Sequence, residues 1–138
     1  MNAFETQQQV RFGHVDPAGI AYFPRIFDYV HEAFEELFEV HVGVRYYRML
    51  LDDKIGFPLV HSDVDFKSAL RFGDRPIVRV TCIHLGSSSL GLRYLYRLGD
   101  RVCLDARMTT ACVNVETMKP MPIPDSYRER FEMILEDR

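Results

Sequence analysis

The chain has 138 residues, of which 47% are hydrophobic and 27% charged, so it has the size and composition of one globular domain rather than of a disordered chain. Its net charge of −3 excludes the strongly basic surface of a nucleic-acid-binding protein, and its longest apolar stretches are too short to span a membrane. The N-terminal residues lack the basic start and long apolar run of a signal peptide, so we expect a cytoplasmic protein with a single domain over residues 1–138.

The first third of the chain predicts a strand, a turn and a long helix. A strand is predicted from Phe4 to Phe12, and the run from Gly13 to Gly19 is dense in turn-forming residues. From Arg25 to about Val42, apolar residues recur at three- and four-residue spacing and form a broad apolar face. Gly43 is predicted to end this helix, and a second short helix is predicted from Val44 to Leu51.

The rest of the chain predicts strands that alternate apolar and polar residues. Four strands are predicted, over residues 59–66, 78–84, 90–98 and 101–116. Their short connections favour an antiparallel meander, and a long sheet packed against one apolar helix is an α+β domain. Asp125 is predicted to be the N-cap of a terminal helix from Ser126 to Glu136.

The segment from Gly13 to Pro24 combines a carboxylate, a turn and a helix start. A helix N-terminus presents unpaired N–H groups and partial positive charge, which stabilise an oxyanion. Pro24 has no N–H, so the predicted donors are the amides of Tyr22 and Phe23. Asp16 is placed to attack a carbonyl carbon or to activate a water that does. Asp-Pro-x-Gly is also an ordinary type I turn, so the local pattern leaves a purely structural role open.

The same segment resembles the signature of the 4-hydroxybenzoyl-CoA thioesterase family, in which an aspartate, a glycine and an aromatic residue follow at set spacing. Two further blocks, Asp65 to Asp74 and Leu85 to Leu90, resemble the family's second strand with its turn and its Gly-x-x-Ser hairpin. The three blocks occur in the family's order and cover most of residues 5–117. The resemblance implies a hotdog fold, in which a long antiparallel sheet wraps around a central helix. It also implies a homodimer or homotetramer with active sites at the subunit interface.

The resemblance further implies an acyl-CoA thioesterase. Asp16 would be its catalytic carboxylate, and the amides of Tyr22 and Phe23 would bind the thioester oxygen. No dissociable cofactor is expected, because coenzyme A is part of the substrate. The candidate substrate-binding residues lie in the Asp16 turn, on the helix, after the second strand and in the serine hairpin: Gly19, His31, Arg71, Gly86, Ser87, Ser88 and Ser89.

Two positions depart from the family pattern. His14 stands where some members have an acid, and the segment from Ser87 to Ser89 has serines where some relatives place basic residues for the phosphates of the coenzyme. We therefore expect Arg71, Arg93 or another arginine to bind the coenzyme, and an acyl group on a carrier protein stays an alternative substrate. His31 either reads a hydroxyl or amine of the substrate or lies on a solvated helix face.

Two other functions on the same scaffold stay open. One is a non-catalytic acyl-CoA-binding protein, which needs the same pocket. The other is a hotdog dehydratase or hydratase, which the absence of a histidine at position 16 disfavours.

The cysteines and histidines give no sign of a metal site. The three cysteines are odd in number, form no Cys-x-x-Cys pair and fall in strand-like runs, which predicts buried free thiols. The five histidines show no metal-ligand spacing, and no glycine-rich phosphate loop is present. We expect no bound metal.

Overall fold

A computed structural model describes residues 2–136 of the chain. The strands are β1 (Phe4–Gln7), β2 (Ile55–Gly56), β3 (Leu59–Phe66), β4 (Ile77–Leu85), β5 (Ser89–Leu98), β6 (Arg101–Ala111), β7 (Val113–Asn114) and β8 (Lys119–Pro120). The α-helices are α1 (Arg25–Glu36), α2 (Tyr46–Arg48) and α3 (Asp125–Glu132). A 3-10 turn spans Phe12–His14, and the π-helical segments Leu37–Val42 and Met49–Asp53 continue α1 and α2.

The main sheet has five antiparallel strands in the order β1-β4-β5-β6-β3. A second, three-stranded sheet is formed by β2, β7 and β8. The inner face of the main sheet is apolar and packs against α1, as the alternating pattern of β4 to β6 predicts. The predicted α+β architecture of a long antiparallel sheet around a central helix is confirmed.

The helix α1 is held in place by its apolar face. The buried residues of α1 and its π-helical extension are Ile26, Tyr29, Val30, Ala33, Phe34, Leu37, Phe38 and Val42. Gly43 ends the helix in the left-handed region, with φ of +92°, and its amide donates to the carbonyl of Phe38. The predicted helix from Arg25 to Val42 and its stop at Gly43 are therefore confirmed.

The first strand is shorter than predicted. It ends at Gln7 rather than Phe12, because its partner β4 begins only at Ile77 and the residue before that is Pro76, which has no N–H to continue the ladder. Beyond Gln7 the chain bonds instead to the turn before β4, where the Val10 amide donates to the carbonyl of Asp74.

The C-terminal predictions also need correction. The strand predicted to Glu116 ends at Ala111, because the amide of Cys112 turns away to the carbonyl of Ser88 and the chain then enters the small sheet as β7. The terminal helix ends at Glu132 rather than Glu136. Asp125 is its first residue rather than its N-cap, since Pro124 takes the capping position without a side-chain bond.

After α3 the chain returns to the main sheet. Leu135 forms a parallel bridge with Cys82 of β4, and the amide of Glu136 donates to the carbonyl of Cys82. This position lies just beyond the point where β1 starts, since Phe4 of β1 pairs with Val80. Residues 134–136 therefore cover the part of the β4 edge that β1 leaves open.

Candidate active site

Asp16 begins a tight turn in the segment before α1. The amide of Gly19 donates to the Asp16 carbonyl (2.9 Å), and the Asp16 carboxylate atom Oδ1 accepts from the amide of Ala18 (2.9 Å). Gly19 has φ of +80°, a conformation that favours glycine. The turn predicted from the local pattern is thus present. The second carboxylate oxygen of Asp16, Oδ2, makes no hydrogen bond within residues 2–136 and is left for other chemistry.

The turn is the tip of a small hairpin that leads into α1. Val15 pairs with Ala21 across this hairpin, and the Tyr22 amide donates to the carbonyl of His14 (2.8 Å). The Tyr22 amide is therefore engaged, which corrects its prediction as an oxyanion donor. The Phe23 amide makes no hydrogen bond to another described residue and stands directly before α1. Of the two predicted donors, the structure leaves only Phe23 available.

Asp16 and the Phe23 amide belong to the same hairpin. Asp16 lies two ladder positions from the pair formed by His14 and Tyr22, which is a separation of about 7 Å along the strand, and Phe23 follows Tyr22 by one residue. The hairpin therefore holds an acid and a free amide within one short segment before α1.

His14 fastens the hairpin to α1. Its ring atom Nδ1 lies 3.2 Å from the backbone nitrogen of Arg11 and 3.0 Å from the hydroxyl of Tyr29 in the helix. Because a backbone N–H only donates, Nδ1 is the acceptor of the Arg11 hydrogen bond. Burial raises the pKa of Tyr29, so its hydroxyl stays protonated. His14 is thus a half-buried anchor between the hairpin and α1.

Arg71 lies beside the same hairpin. It pairs with Ile20 in an isolated bridge, and the next residue, Phe72, donates its amide to the carbonyl of Gly19 (3.2 Å). Its guanidinium has no ion pair or hydrogen bond to any residue between 2 and 136. The structure therefore brings the predicted residues Asp16, Gly19 and Arg71 together, and it leaves the charge of Arg71 open to a ligand. Both backbone groups of Gly19 are engaged, so Gly19 shapes the loop.

A cavity of about 250 Å³ lies along the next turns of α1. Its walls include Phe27, His31 and Phe34 from the helix and Tyr94 and Thr110 from the sheet. His31 stacks on Phe34 with ring centroids 5.9 Å apart, and its Nε2 lies 3.4 Å from a carboxylate oxygen of Glu35. The side chain of His31 is 63% exposed, so it stands at the rim of the cavity. His31 thus borders the cavity and is at the same time exposed on the helix face, so its role in substrate binding stays a prediction.

The serine hairpin lies at the other end of the sheet. Gly86 to Ser89 follow the last residue of β4, whereas Arg71 and the Asp16 hairpin lie near its first residue, which is about 27 Å away along the strand. Within one chain, the structure does not bring these two predicted groups together. In the serine hairpin, the Ser89 hydroxyl lies 2.7 Å from Nε2 of His84.

Arg128 supplies the positive charge that the serine hairpin lacks. Its Nη2 donates to the carbonyl of Gly86 (2.7 Å) and to that of Ser87 (3.1 Å). Sequence reasoning missed this residue because it lies in α3, about forty positions away, with no motif around it.

Arg93 is not available to a coenzyme. Its guanidinium forms two hydrogen bonds with the carboxylate of Asp105 (2.8 and 3.0 Å) and a third with Glu136 (3.3 Å). These hydrogen bonds from Arg93 hold the pKa of Asp105 below its ordinary value. The prediction of Arg93 as a phosphate ligand is therefore wrong, because its guanidinium is held in a structural ion pair.

The cysteines are buried free thiols, as predicted. Burial raises the pKa of Cys82 and of Cys112 to about 11, so neither is a thiolate nucleophile at neutral pH. Within residues 2–136, no group of three or more His, Cys, Asp or Glu side chains is arranged to hold a metal ion. None of the helices in this range is long and apolar enough to cross a membrane.

The sequence of the chain matches the profile of a known protein family. The profile of the Thioesterase-like superfamily matches residues 10–131, which include the Asp16 hairpin, α1 and four of the five strands of the main sheet. The chain belongs to the Thioesterase-like superfamily.

Relatives of this thioesterase-like protein are similar over most of its length. A 1,4-dihydroxy-2-naphthoyl-CoA hydrolase from Nostoc punctiforme is 25% identical over 130 residues, which cover 94% of this chain and 87% of the relative. A hydrolase of the same name from Crocosphaera subtropica is 29% identical over 107 residues and 77% of each chain. These relatives are named for dihydroxynaphthoyl-CoA rather than for 4-hydroxybenzoyl-CoA, so the resemblance seen in the sequence holds at the level of the superfamily.

Solved structures agree with the fold. A gentisyl-coenzyme A thioesterase superposes with a TM-score of 0.83 at 29% identity and covers 93% of this chain and 99% of its own. A 1,4-dihydroxy-2-naphthoyl-CoA thioesterase from Synechocystis has a TM-score of 0.85 at 22% identity, with 94% and 96% coverage. The expected hotdog fold of this thioesterase-like protein is confirmed.

Proposed function

We propose that the protein hydrolyses an aryl-CoA thioester to the free acid and coenzyme A. The observation that carries this proposal is the hairpin before α1, which holds a carboxylate oxygen of Asp16 and the amide of Phe23 without partners in the described chain. This is the donor and acid pair that thioester hydrolysis requires. The names of the relatives support an aryl ester as the substrate class.

The proposed chemistry uses only groups of this chain and water. The thioester oxygen accepts a hydrogen bond from the Phe23 amide, and the partial positive charge at the start of α1 stabilises the oxyanion. Asp16 either takes a proton from the attacking water or attacks the carbonyl carbon itself, forming an anhydride that water then opens. In both routes the C–S bond breaks, the sulfur of coenzyme A takes up a proton and the acid leaves. No cofactor takes part.

The cavity beside α1 suits the ring of an aryl group. An engineered protein cavity of about 150 Å³ holds benzene, so a cavity of about 250 Å³ accommodates one or two rings more readily than a long acyl chain. Its helix wall presents the rings of Phe27 and Phe34, and His31 at the rim is placed to bind a polar substituent. We therefore assign the acyl group to this cavity.

A second copy of the chain would complete the site. The edge strand β3 is exposed on both faces over most of its length, and Leu59, Val60 and Phe66 are more than half exposed. Antiparallel pairing of two β3 strands turns one copy end for end, because a two-fold axis relates them. The serine hairpin of one copy then lies at the same end of the joined sheet as the Asp16 hairpin of the other. We propose this dimer as the active unit, whether or not dimers pair further into tetramers.

A hydrolysis screen tests the proposed reaction. Coenzyme A release should be measured for benzoyl-CoA, hydroxybenzoyl-CoA, acetyl-CoA and palmitoyl-CoA. We expect kcat/KM for the better aryl ester to exceed that for palmitoyl-CoA by about a hundredfold, since the cavity excludes most of a long chain. A preference for palmitoyl-CoA would overturn the substrate class. Tight binding of every ester without coenzyme A release would favour a non-catalytic binding protein.

The role proposed for Arg71 predicts an effect on substrate binding. Phosphate contacts stabilise the ground state and the transition state alike, so Arg71→Ala should raise KM for the CoA ester several-fold and change kcat little. Arg101→Ala is the matched control, because Arg101 is also exposed but is the first residue of β6 and has no proposed role. Equal KM values for the wild type and the Arg71 variant would place the coenzyme elsewhere, with Arg128 as the next residue to change.

A further inference from the structure

Three hydroxyl-bearing side chains line the cavity beside α1, and two of them are already engaged. The hydroxyl of Tyr46 accepts a hydrogen bond from the amide of Phe57 (2.7 Å), and that of Thr110 donates to the carbonyl of Leu90 (3.4 Å). The hydroxyl of Tyr94 makes no hydrogen bond with any residue in the range 2–136. Tyr94 is therefore the one wall hydroxyl in this range that makes no hydrogen bond at all.

Tyr94 is deeply buried between the sheet and the helix. It projects from the inner face of β5 and is only 1% exposed. Burial raises the pKa of its phenol far above the ordinary value, so the hydroxyl remains neutral and keeps a proton to donate. The Tyr94 hydroxyl oxygen is not among the fully enclosed unpaired atoms of the described residues, which agrees with its opening onto the cavity.

We propose that the Tyr94 hydroxyl forms a hydrogen bond with a phenolic hydroxyl on the ring of the acyl group and makes the enzyme selective for hydroxylated aryl-CoA esters. The surrounding walls are mainly aromatic and aliphatic, so a bare ring fills the space but leaves Tyr94 unpaired. A ring with a hydroxyl in reach satisfies it. Sites that are built to bind a substrate hydroxyl discriminate strongly against the analogue that lacks it. This inference rests on the proposed thioesterase function and on the assignment of the acyl group to this cavity.

The experiment compares benzoyl-CoA with its 2-, 3- and 4-hydroxy derivatives. In the wild type, we expect at least one hydroxybenzoyl-CoA to exceed benzoyl-CoA in kcat/KM by about tenfold or more, as for a buried hydrogen bond. In Tyr94→Phe that ratio should fall to near one, because the phenylalanine has the same ring and no hydroxyl. Thermal melting of both proteins checks that the variant is folded.

Tyr96→Phe is the matched control. Tyr96 lies two residues further along the same face of β5 and is fully buried, but it does not line the cavity. Removal of its hydroxyl should leave the hydroxybenzoyl-to-benzoyl ratio of the wild type unchanged. If removal of any buried hydroxyl lowered the hydroxybenzoyl-to-benzoyl ratio, both variants would show the decrease. If Tyr94 binds the hydroxyl of the substrate ring, only the Tyr94 variant shows it.

Two results would overturn the inference. One is a wild-type ratio near one for all three hydroxy derivatives, and the other is a ratio that survives Tyr94→Phe, as expected if the hydroxyl binds only water. If the wild type hydrolyses no CoA ester, the proposed function fails separately. The same ratio is then measured as Kd values for the non-hydrolysable thioether analogues by calorimetry, and it decides the role of Tyr94 independently of catalysis.

Discussion

Asp16→Asn should lower the single-turnover rate of aryl-CoA hydrolysis by about a hundredfold or more, which is the range for loss of a general base. The asparagine retains the size of the side chain and an oxygen that accepts from the amide of Ala18, so the turn should persist. What it loses is the charged oxygen Oδ2, which has no partner within the described residues and is the only part of Asp16 not used by the turn. Substrate affinity should largely survive, because the cavity and the Phe23 amide are unchanged.

The control for this change is Asp74→Asn. Asp74 lies in the next turn along the sheet end, where its carboxylate accepts from the amide of Arg71 (2.7 Å), so it has a comparable structural bond without a proposed catalytic role. Both variants should melt close to the wild type. If the folded Asp16→Asn protein hydrolyses the ester at the wild-type rate, Asp16 has only a structural role in the turn and is not the catalytic residue.

Val60→Lys should shift the protein from a dimer toward a monomer and reduce hydrolysis in parallel. Val60 is 61% exposed on the edge strand β3, and a lysine on an edge strand opposes pairing with another edge. The two-fold axis brings two new charges into one interface. Light scattering at micromolar concentration should report about twice the chain mass of 16.1 kDa for the wild type and a value approaching one chain for the variant.

Val40→Lys is the control for added charge and lost apolar surface. Val40 is 65% exposed in the π-helical continuation of α1, so it matches Val60 in residue type and exposure but lies away from the sheet edge. This variant should keep the dimer mass and the activity. A wild type with the mass of one chain and full activity would rule out the shared site.

The parts of the fold that could be predicted are those in which a local pattern decides the structure. The broad apolar stripe from Ile26 to Val42 specifies the helix, and the period of two in β4 and β5 specifies the sheet face. The predicted strand ends were wrong where a residue far along the chain determines the end of the strand. The first strand ends early because Pro76, far along the chain, offers no N–H, and the last strand is split because Ser88 captures the amide of Cys112.

The candidate site divides in the same way. Asp16, Gly19 and Phe23 lie within eight residues, so a single segment was enough to group them. Arg71 was predicted separately, and the structure places it beside them in the adjacent turn. The engaged amide of Tyr22 depends on a cross-hairpin bond that composition does not reveal. The contact of Arg128 with the serine hairpin and the ion pair of Arg93 with Asp105 join residues 12 to 42 positions apart. Such pairings depend on the three-dimensional register of the sheet.

The two edges of the main sheet differ in a way that limits how far the protein can polymerise. On one side β1 covers only four residues of β4, but residues 134–136 take up the next stretch of that edge and Glu136 is tied to Arg93 and Thr81. On the other side β3 offers eight residues with no cover from within the described chain. When β3 pairs with β3 of a second copy, both edges are used and the assembly closes as a dimer. Two different open edges on each copy would instead allow copies to add one after another. The segment from residue 134 to 136 thus covers backbone of β4 that would otherwise be open to another strand, and Glu136→Ala should loosen that cover.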